Sequence, residues 1–102
     1  MIEPTPGRIV WYWPLEPHDR LLARLDDQPL AAMVACVHTD RCVNLSVCDA
    51  SGTWWPRTSV RLLQPEDERP TVEGREAFCE WMPYQVGQAA KHAELEAARA
   101  TS

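Results

Sequence analysis

Residues 42–48, Cys-Val-Asn-Leu-Ser-Val-Cys, alternate without interruption. Val43, Leu45 and Val47 fall on one side, and Cys42, Asn44, Ser46 and Cys48 on the other. That period of two is the signature of a strand with one buried face. Asp49-Ala50-Ser51-Gly52 follows, a run of turn-forming residues ending in a glycine that can take a positive φ. Residues 53–63 then read as a second strand. Thr58, Val60 and Leu62 share one side of it, and Arg57, Ser59 and Arg61 the other. Two strands joined by so short a turn pair as a hairpin.

The rest of the chain is read outward from that hairpin. Residues 1–6 hold two prolines and form an extended arm. A strand over 8–13 ends at Pro14. Residues 15–29 form a loop carrying one helical turn around Leu21, Leu22 and Leu25. Residues 30–38 are almost unbroken in apolar character, which predicts a central strand buried on both faces. Thr39-Asp40-Arg41 is a turn. The acidic stretch 64–74, with Pro65 and Pro70, is a loop, and 77–82 supplies a short last strand. Pro83 suits the first turn of a helix over 84–99. Along that helix Val86, Ala90, Ala93 and Ala97 recur at helical spacing. Alanine buries little but permits close approach, so the helix packs either on the barrel or against the same helix of another copy. The division is an arm (1–6), a β domain (7–82) and a helix with its tail (83–102). The fold class is mainly β: a small SH3-like five-stranded antiparallel barrel or bent sheet with a C-terminal helix.

A chain of 102 residues is one domain. No apolar run approaches the roughly 18 residues of a membrane span, and no signal segment opens the chain, so the cytosol is the default location. The net charge of −5 disfavours general binding to nucleic-acid backbones. Cys36, Cys42, Cys48 and Cys79 contain no Cys-x-x-Cys pair, which gives a zinc site little support. Two disulfides are arithmetically possible, but free thiols filling small spaces fit a cytosolic chain better. All the basic residues except Lys91 are arginine, which suits an anion pocket; a codon bias explains the same excess.

No motif of a hydrolase, a metalloprotease or a phosphate-cradling loop is present. His18, His38 and His92 are scattered, and the carboxylate pairs lie in loops. The chain is therefore read as a non-enzymatic binding protein that needs no cofactor and no metal. Trp11-Tyr12-Trp13 and Trp54-Trp55 concentrate aromatic area. On a strand, Trp11 and Trp13 share a face with Ile9, and Tyr12 shares the other with Arg8 and Val10. The two tryptophans are read as core and the Tyr12–Arg8 face as the binding side. Trp54 and Trp55 divide between core and hairpin edge. The candidate ligand residues are then Arg8, Arg57 and Arg61 for phosphates, and Tyr12 and Trp81 as stacking plates. Asn44 and Gln85 would read polar edges, with Ser59 and Tyr84 beside them.

Several stretches together resemble small proteins of tailed bacteriophages, mostly without assigned function. They are residues 4–10 (Pro-Thr-Pro-Gly-Arg-Ile-Val), 29–37, and 43–47 with Asp49 and Gly52, followed by Thr58-Ser59-Val60 and Trp81-Met82-Pro83. The resemblance covers roughly residues 4–83. It implies a location in the host cytoplasm. It also implies, by analogy, an anti-defence sponge: a small homo-oligomer that sequesters a nucleotide-like host immune signal without cleaving it. The alternative is an SH3-like module that docks a host or virion protein, its acidic loop suiting a basic partner.

Overall fold

The computed structural model describes residues 1–15, 19–69 and 76–101. Five strands, β1 (Ile9–Trp13), β2 (Leu30–Thr39), β3 (Cys42–Cys48), β4 (Trp54–Leu63) and β5 (Phe78–Glu80), are followed by one helix, α1 (Pro83–Thr101). The strands close into a barrel in the order β1-β2-β3-β4-β5. Consecutive strands from β1 to β4 pair antiparallel, and β1 also pairs antiparallel with β5. The closing pair β4–β5 is parallel. A parallel pair needs a long crossover, which accounts for the length of the connection after β4. The chain is thus a small mainly-β, SH3-like barrel with a C-terminal helix.

The interior is filled by one face of every strand. Val10 and Tyr12 come from β1, Leu30, Ala32 and Val34 from β2, and Val43, Leu45 and Val47 from β3. Val60 and Leu62 of β4, Cys79 of β5, Trp81 and Leu22 complete the cluster. Two expectations are corrected here. β2 is buried on one face only, because an antiparallel barrel wall has a solvent side; Ala31, Met33 and Ala35 occupy it. In β1 the faces are reversed: Val10 and Tyr12 line the core, while Ile9, Trp11 and Trp13 point outward. The expected helical turn within 15–29 is a hydrogen-bonded turn, in which the Leu22 N–H meets the Asp19 carbonyl. Only Leu22 of its leucines is buried.

A bulge explains why alternation misplaced part of β4. Val43 pairs with Val60 and Leu45 with Arg57, so two residues of β4, Thr58 and Ser59, oppose Asn44 alone. Ser59 takes φ 52°, an uncommon conformation for a residue with a side chain. The Asn44 carboxamide oxygen accepts the Ser59 N–H at 2.9 Å and so holds the bulge. The extra residue switches sides, placing Trp55 and Arg57 on the same inward-leaning side as Val60 and Leu62.

Asp49 is the hub of the β3–β4 turn, where Gly52 takes φ 90°. Its carboxylate accepts the Ser51 hydroxyl at 2.7 Å, the Trp55 indole N–H at 2.8 Å, and the N–H groups of Ser51, Thr53 and Ala23. The Ala23 bond ties the 15–29 connection to the turn. Ser51 above all, then Trp55 and the backbone donors, hold the Asp49 carboxyl well below its usual range against the opposing effect of burial. Asp67 is brought down to about 2, chiefly by the Arg41 guanidinium and then by the Gln64 N–H.

The arm is fixed rather than loose. The Gln64 amide is buried, accepting the Ile2 N–H at 2.9 Å and donating to the carbonyls of Ile2 and Asp40. The helix is different. From Ala90 to Arg99 every residue is exposed, and the molecule measures 54 Å along its long axis against 28 and 25 Å across. A 19-residue helix is about 28 Å long, and most of it extends away from the barrel.

Carboxylates with depressed folded-state values stabilise the fold fully above the unfolded value near 4, and that contribution is lost as the pH falls through the folded values. Urea midpoints should therefore be flat from pH 7 to about 5 and fall steeply between about 4 and 2. Asp49→Asn should lower the midpoint at pH 7 and shorten the acid limb. An unchanged acid limb in that variant would remove Asp49 from the account.

Candidate functional site

The nine residues expected to form a ligand site do not form one. Tyr12 is 1% exposed, and its hydroxyl donates to Asp19 Oδ2 at 2.7 Å. Asp19, itself 2% exposed, also accepts the Leu15 N–H on Oδ2 at 2.9 Å and the Arg57 Nε–H on Oδ1 at 2.8 Å. Arg57 further donates to the Pro56 carbonyl at 2.7 Å. Tyr12 and Arg57 are thus tied to one carboxylate, with the phenol and the carboxylate buried and the Arg57 side chain 18% exposed. The Tyr12 ring offers no stacking face, and the Arg57 Nε and Nη1 are committed within the fold. Burial opposes the Asp19 charge, but the Leu15 N–H, the Tyr12 hydroxyl and Arg57 outweigh it, so its carboxyl titrates below the usual range. Burial, then the hydrogen bond to Asp19, raises the Tyr12 phenol well above its ordinary value.

Asn44 and Ser59 are spent on the bulge; Asn44 Oδ1 also lies 3.0 Å from His38 Nε2. Arg61 is exposed and faces Glu76 at 3.8 Å. Trp81 is 3% exposed and belongs to the core, so it offers no stacking plate. His18 lies outside the described residues. Cys36, Cys42, Cys48 and Cys79 are free thiols. Burial pushes the Cys79 thiol up to about 12, which keeps it protonated and a poor nucleophile. Among the described residues no group of three His, Cys, Asp or Glu side chains could hold a metal ion. No described helix is long and apolar enough to cross a membrane.

Three of the nine, Arg8, Tyr84 and Gln85, meet in one place. They line a groove of about 480 Å³ between the arm and α1, together with Ile2, Gln88, Ala89, Lys91, His92 and Leu95. The groove is built by the start of the helix. Met82 is the residue before α1, and its N–H donates to Gln85 Oε1 at 2.7 Å, one half of a capping box. Gln85 Nε2 donates in turn to the Ile9 carbonyl at 2.8 Å. The Gln85 amide therefore locks the helix to β1 rather than reading a ligand. Helical spacing then places Tyr84, Gln88, Lys91 and Leu95 along one side.

The electrostatics of the groove differ from those of the whole chain. Its lining includes Arg8, Lys91 and His92 and no carboxylate. Among the described residues no ion pair engages Arg8 or Lys91. His92 lies 3.7 Å from Glu96. Tyr84 is 73% exposed and presents a ring beside these cations.

A second feature escaped the sequence reading, the outer wall of the barrel. By register Trp11 sits beside Ala31, Ala31 beside Cys48 and Cys48 beside Trp54. The neighbouring row is Ile9, Met33, Ser46 and Pro56. Trp13 packs on Phe78 at 6.4 Å, and the guanidinium groups of Arg24 and Arg69 lie 6.0 and 5.8 Å from its ring centre. Trp54 is exposed, and Trp55 packs against the core. The alternation of β1 carries the signal, since Ile9, Trp11 and Trp13 share the face opposite the buried Val10 and Tyr12.

No protein-family model, curated protein or solved structure matches this chain.

The cluster around Asp19 has a direct test. Arg57→Ala leaves the buried Asp19 carboxylate short of a charged donor, and Asp19→Ala leaves the buried Tyr12 hydroxyl without its acceptor; each should cost about 3 kcal/mol. Tyr12→Phe should cost about 1 kcal/mol. Urea denaturation at pH 7 reads all three. An Arg57→Ala protein as stable as the parent would return Arg57 to the pool of free ligand residues.

Proposed function

We propose that this protein is a non-enzymatic binding protein that takes a small nucleotide-like anion into the groove between its arm and α1. The observation that carries the reading is the meeting of Arg8, Lys91 and the exposed Tyr84 ring in a groove with no carboxylate in its lining, on a chain of net charge −5. An arginine fork and an ammonium suit phosphate oxygens, and a phenol ring suits a base. The volume lies within the range of small-ligand sites, about 300–1,000 Å³. Sequestration needs binding groups only, so no catalytic constellation is required of it. The resemblance to tailed-phage proteins supplies a setting, the host cytoplasm, and a ligand class, a nucleotide immune signal of the host. The projecting helix supports assembly into a homo-oligomer, since Ala90, Ala93 and Ala97 stand exposed along it.

A second reading, a protein-interaction module, is favoured by one observation. The outer wall carries Trp11, Trp54, Ile9, Met33 and Pro56 in adjacent rows, and exposed apolar patches of this kind mark contact surfaces. On that reading a host or virion protein covers the wall and the groove is incidental.

Native mass spectrometry with ADP-ribose and with a cyclic dinucleotide reads ligand and assembly together. The groove reading expects one of the two to be retained and released intact on denaturation. It also expects Arg8→Ala combined with Lys91→Ala to weaken retention at least ~10-fold, or about 1.4 kcal/mol, without loss of fold. Retention unchanged in that variant would overturn it. Binding of neither probe, with a stoichiometric protein partner lost in Trp54→Ala, would favour the module instead.

A further inference from the structure

No residue of β1, β2 or β3 is Asp, Glu, Lys or Arg, in a chain where 25% of residues are charged. One face of these strands is core. The other is the outer wall, and a barrel face turned to water normally carries charged side chains. Ile9, Met33 and Trp54 are nevertheless 38, 37 and 53% exposed on it. An uncharged, apolar outer face of this kind marks a contact surface.

The relief of the wall selects a partner. Across the strands one row runs Trp11, Ala31, Cys48, Trp54. Trp54 stands up at one end of it. Past Cys48 a hollow of about 180 Å³ opens, lined by Leu25, Pro29, Ala31 and Cys48. The acid in its lining, Asp49, is committed to Ser51, Thr53 and Trp55. Knob and hole thus lie side by side on one face, with Cys48 between them. A two-fold axis at Cys48 seats each copy's knob in the other's hole, which is the self-complementarity an isologous contact requires. Such an axis also brings each group near it close to its own copy. Charges there would repel one another, and these rows of the wall have none.

We propose that two copies of this chain associate through the outer wall, with Trp54 of each seated in the Ala31–Cys48 hollow of the other. The two wall rows and the hollow give a flat footprint of roughly 300 Å² per copy. The relief of the rings raises the accessible area towards the lower end of the ~600–1,000 Å² that each side of a stable pair buries. The dimer is therefore reversible and set by concentration. The contact shares no residue with the arm–helix groove and does not rest on it.

Sedimentation velocity of the full-length protein from about 1 μM to about 1 mM tests it, the range over which a reversible pair dissociates. The parent should pass from monomer to dimer across that range. Trp54→Ala, a change at an exposed ring, should weaken association at least ~10-fold. Cys48→Glu and Cys48→Lys each set like charges across the axis and should stay monomeric, whereas their equimolar mixture should dimerise. That rescue is specific to an axis at Cys48, and the Trp54→Ala result stands whether or not the Cys48 variants fold. A parent that stays monomeric throughout, leaving the wall to a foreign protein, would overturn the proposal. So would a dimer whose affinity is unchanged in Trp54→Ala, the outcome of pairing through α1, or a mixture of folded Cys48 variants that associates no better than either alone.

Discussion

One buried carboxylate organises this molecule. Asp19 draws together a strand residue, Tyr12, a residue beyond the β4 bulge, Arg57, and the backbone of its own connection at Leu15. Taking a carboxylate out of water is unfavourable unless several donors replace the water, and here three do. The geometry of the end of the barrel follows from that requirement. Arg57 can reach inward only because Thr58 and Ser59 form a bulge against Asn44. Without the extra residue, Arg57 and Val60 would lie on opposite sides of the strand. A second carboxylate, Asp49, repeats the device at the β3–β4 turn and fastens the same connection through Ala23. The two acids hold a stretch that buries little apolar surface of its own beyond Leu22.

The same requirement decides where function can reside. A phenol and a guanidinium committed to the Asp19 carboxylate are lost to ligand binding, and a bulge locked by Asn44 removes two more polar groups. Beside the arm, the cations and the Tyr84 ring stand along α1's first turns. That arrangement depends on Gln85, whose amide joins the helix start to β1. The helix then leaves the barrel.

Much of the architecture was legible in the sequence. The 42–48 alternation, the Asp49–Gly52 turn and Pro83 at the helix start all correspond to elements of the barrel, because each is a local signal. Other features were hidden for physical reasons. Nothing local marks a bulge at Thr58–Ser59, so simple alternation put Arg57 on the wrong side. Burial in β1 went to Val10 and Tyr12 rather than to the larger rings, because Asp19, seven residues on, supplies a partner for the phenol. The convergence of Arg8 with Tyr84 depends on how α1 docks, which spacing along the chain does not report. Asp19 lies in the connection between β1 and β2, where nothing in the adjoining residues sets it apart; only its three-dimensional partners distinguish it.

The central claim is that ligand recognition sits in the arm–helix groove and not on the tryptophan-rich wall. Amide and indole chemical-shift mapping of the ¹⁵N-labelled protein with ADP-ribose tests it most directly. The account predicts shifts confined to Arg8, Tyr84, Gln88, Lys91 and His92, with the indole signals of Trp11 and Trp54 unmoved. Shifts centred on Trp11, Trp54 and Met33, with the groove silent, would contradict it.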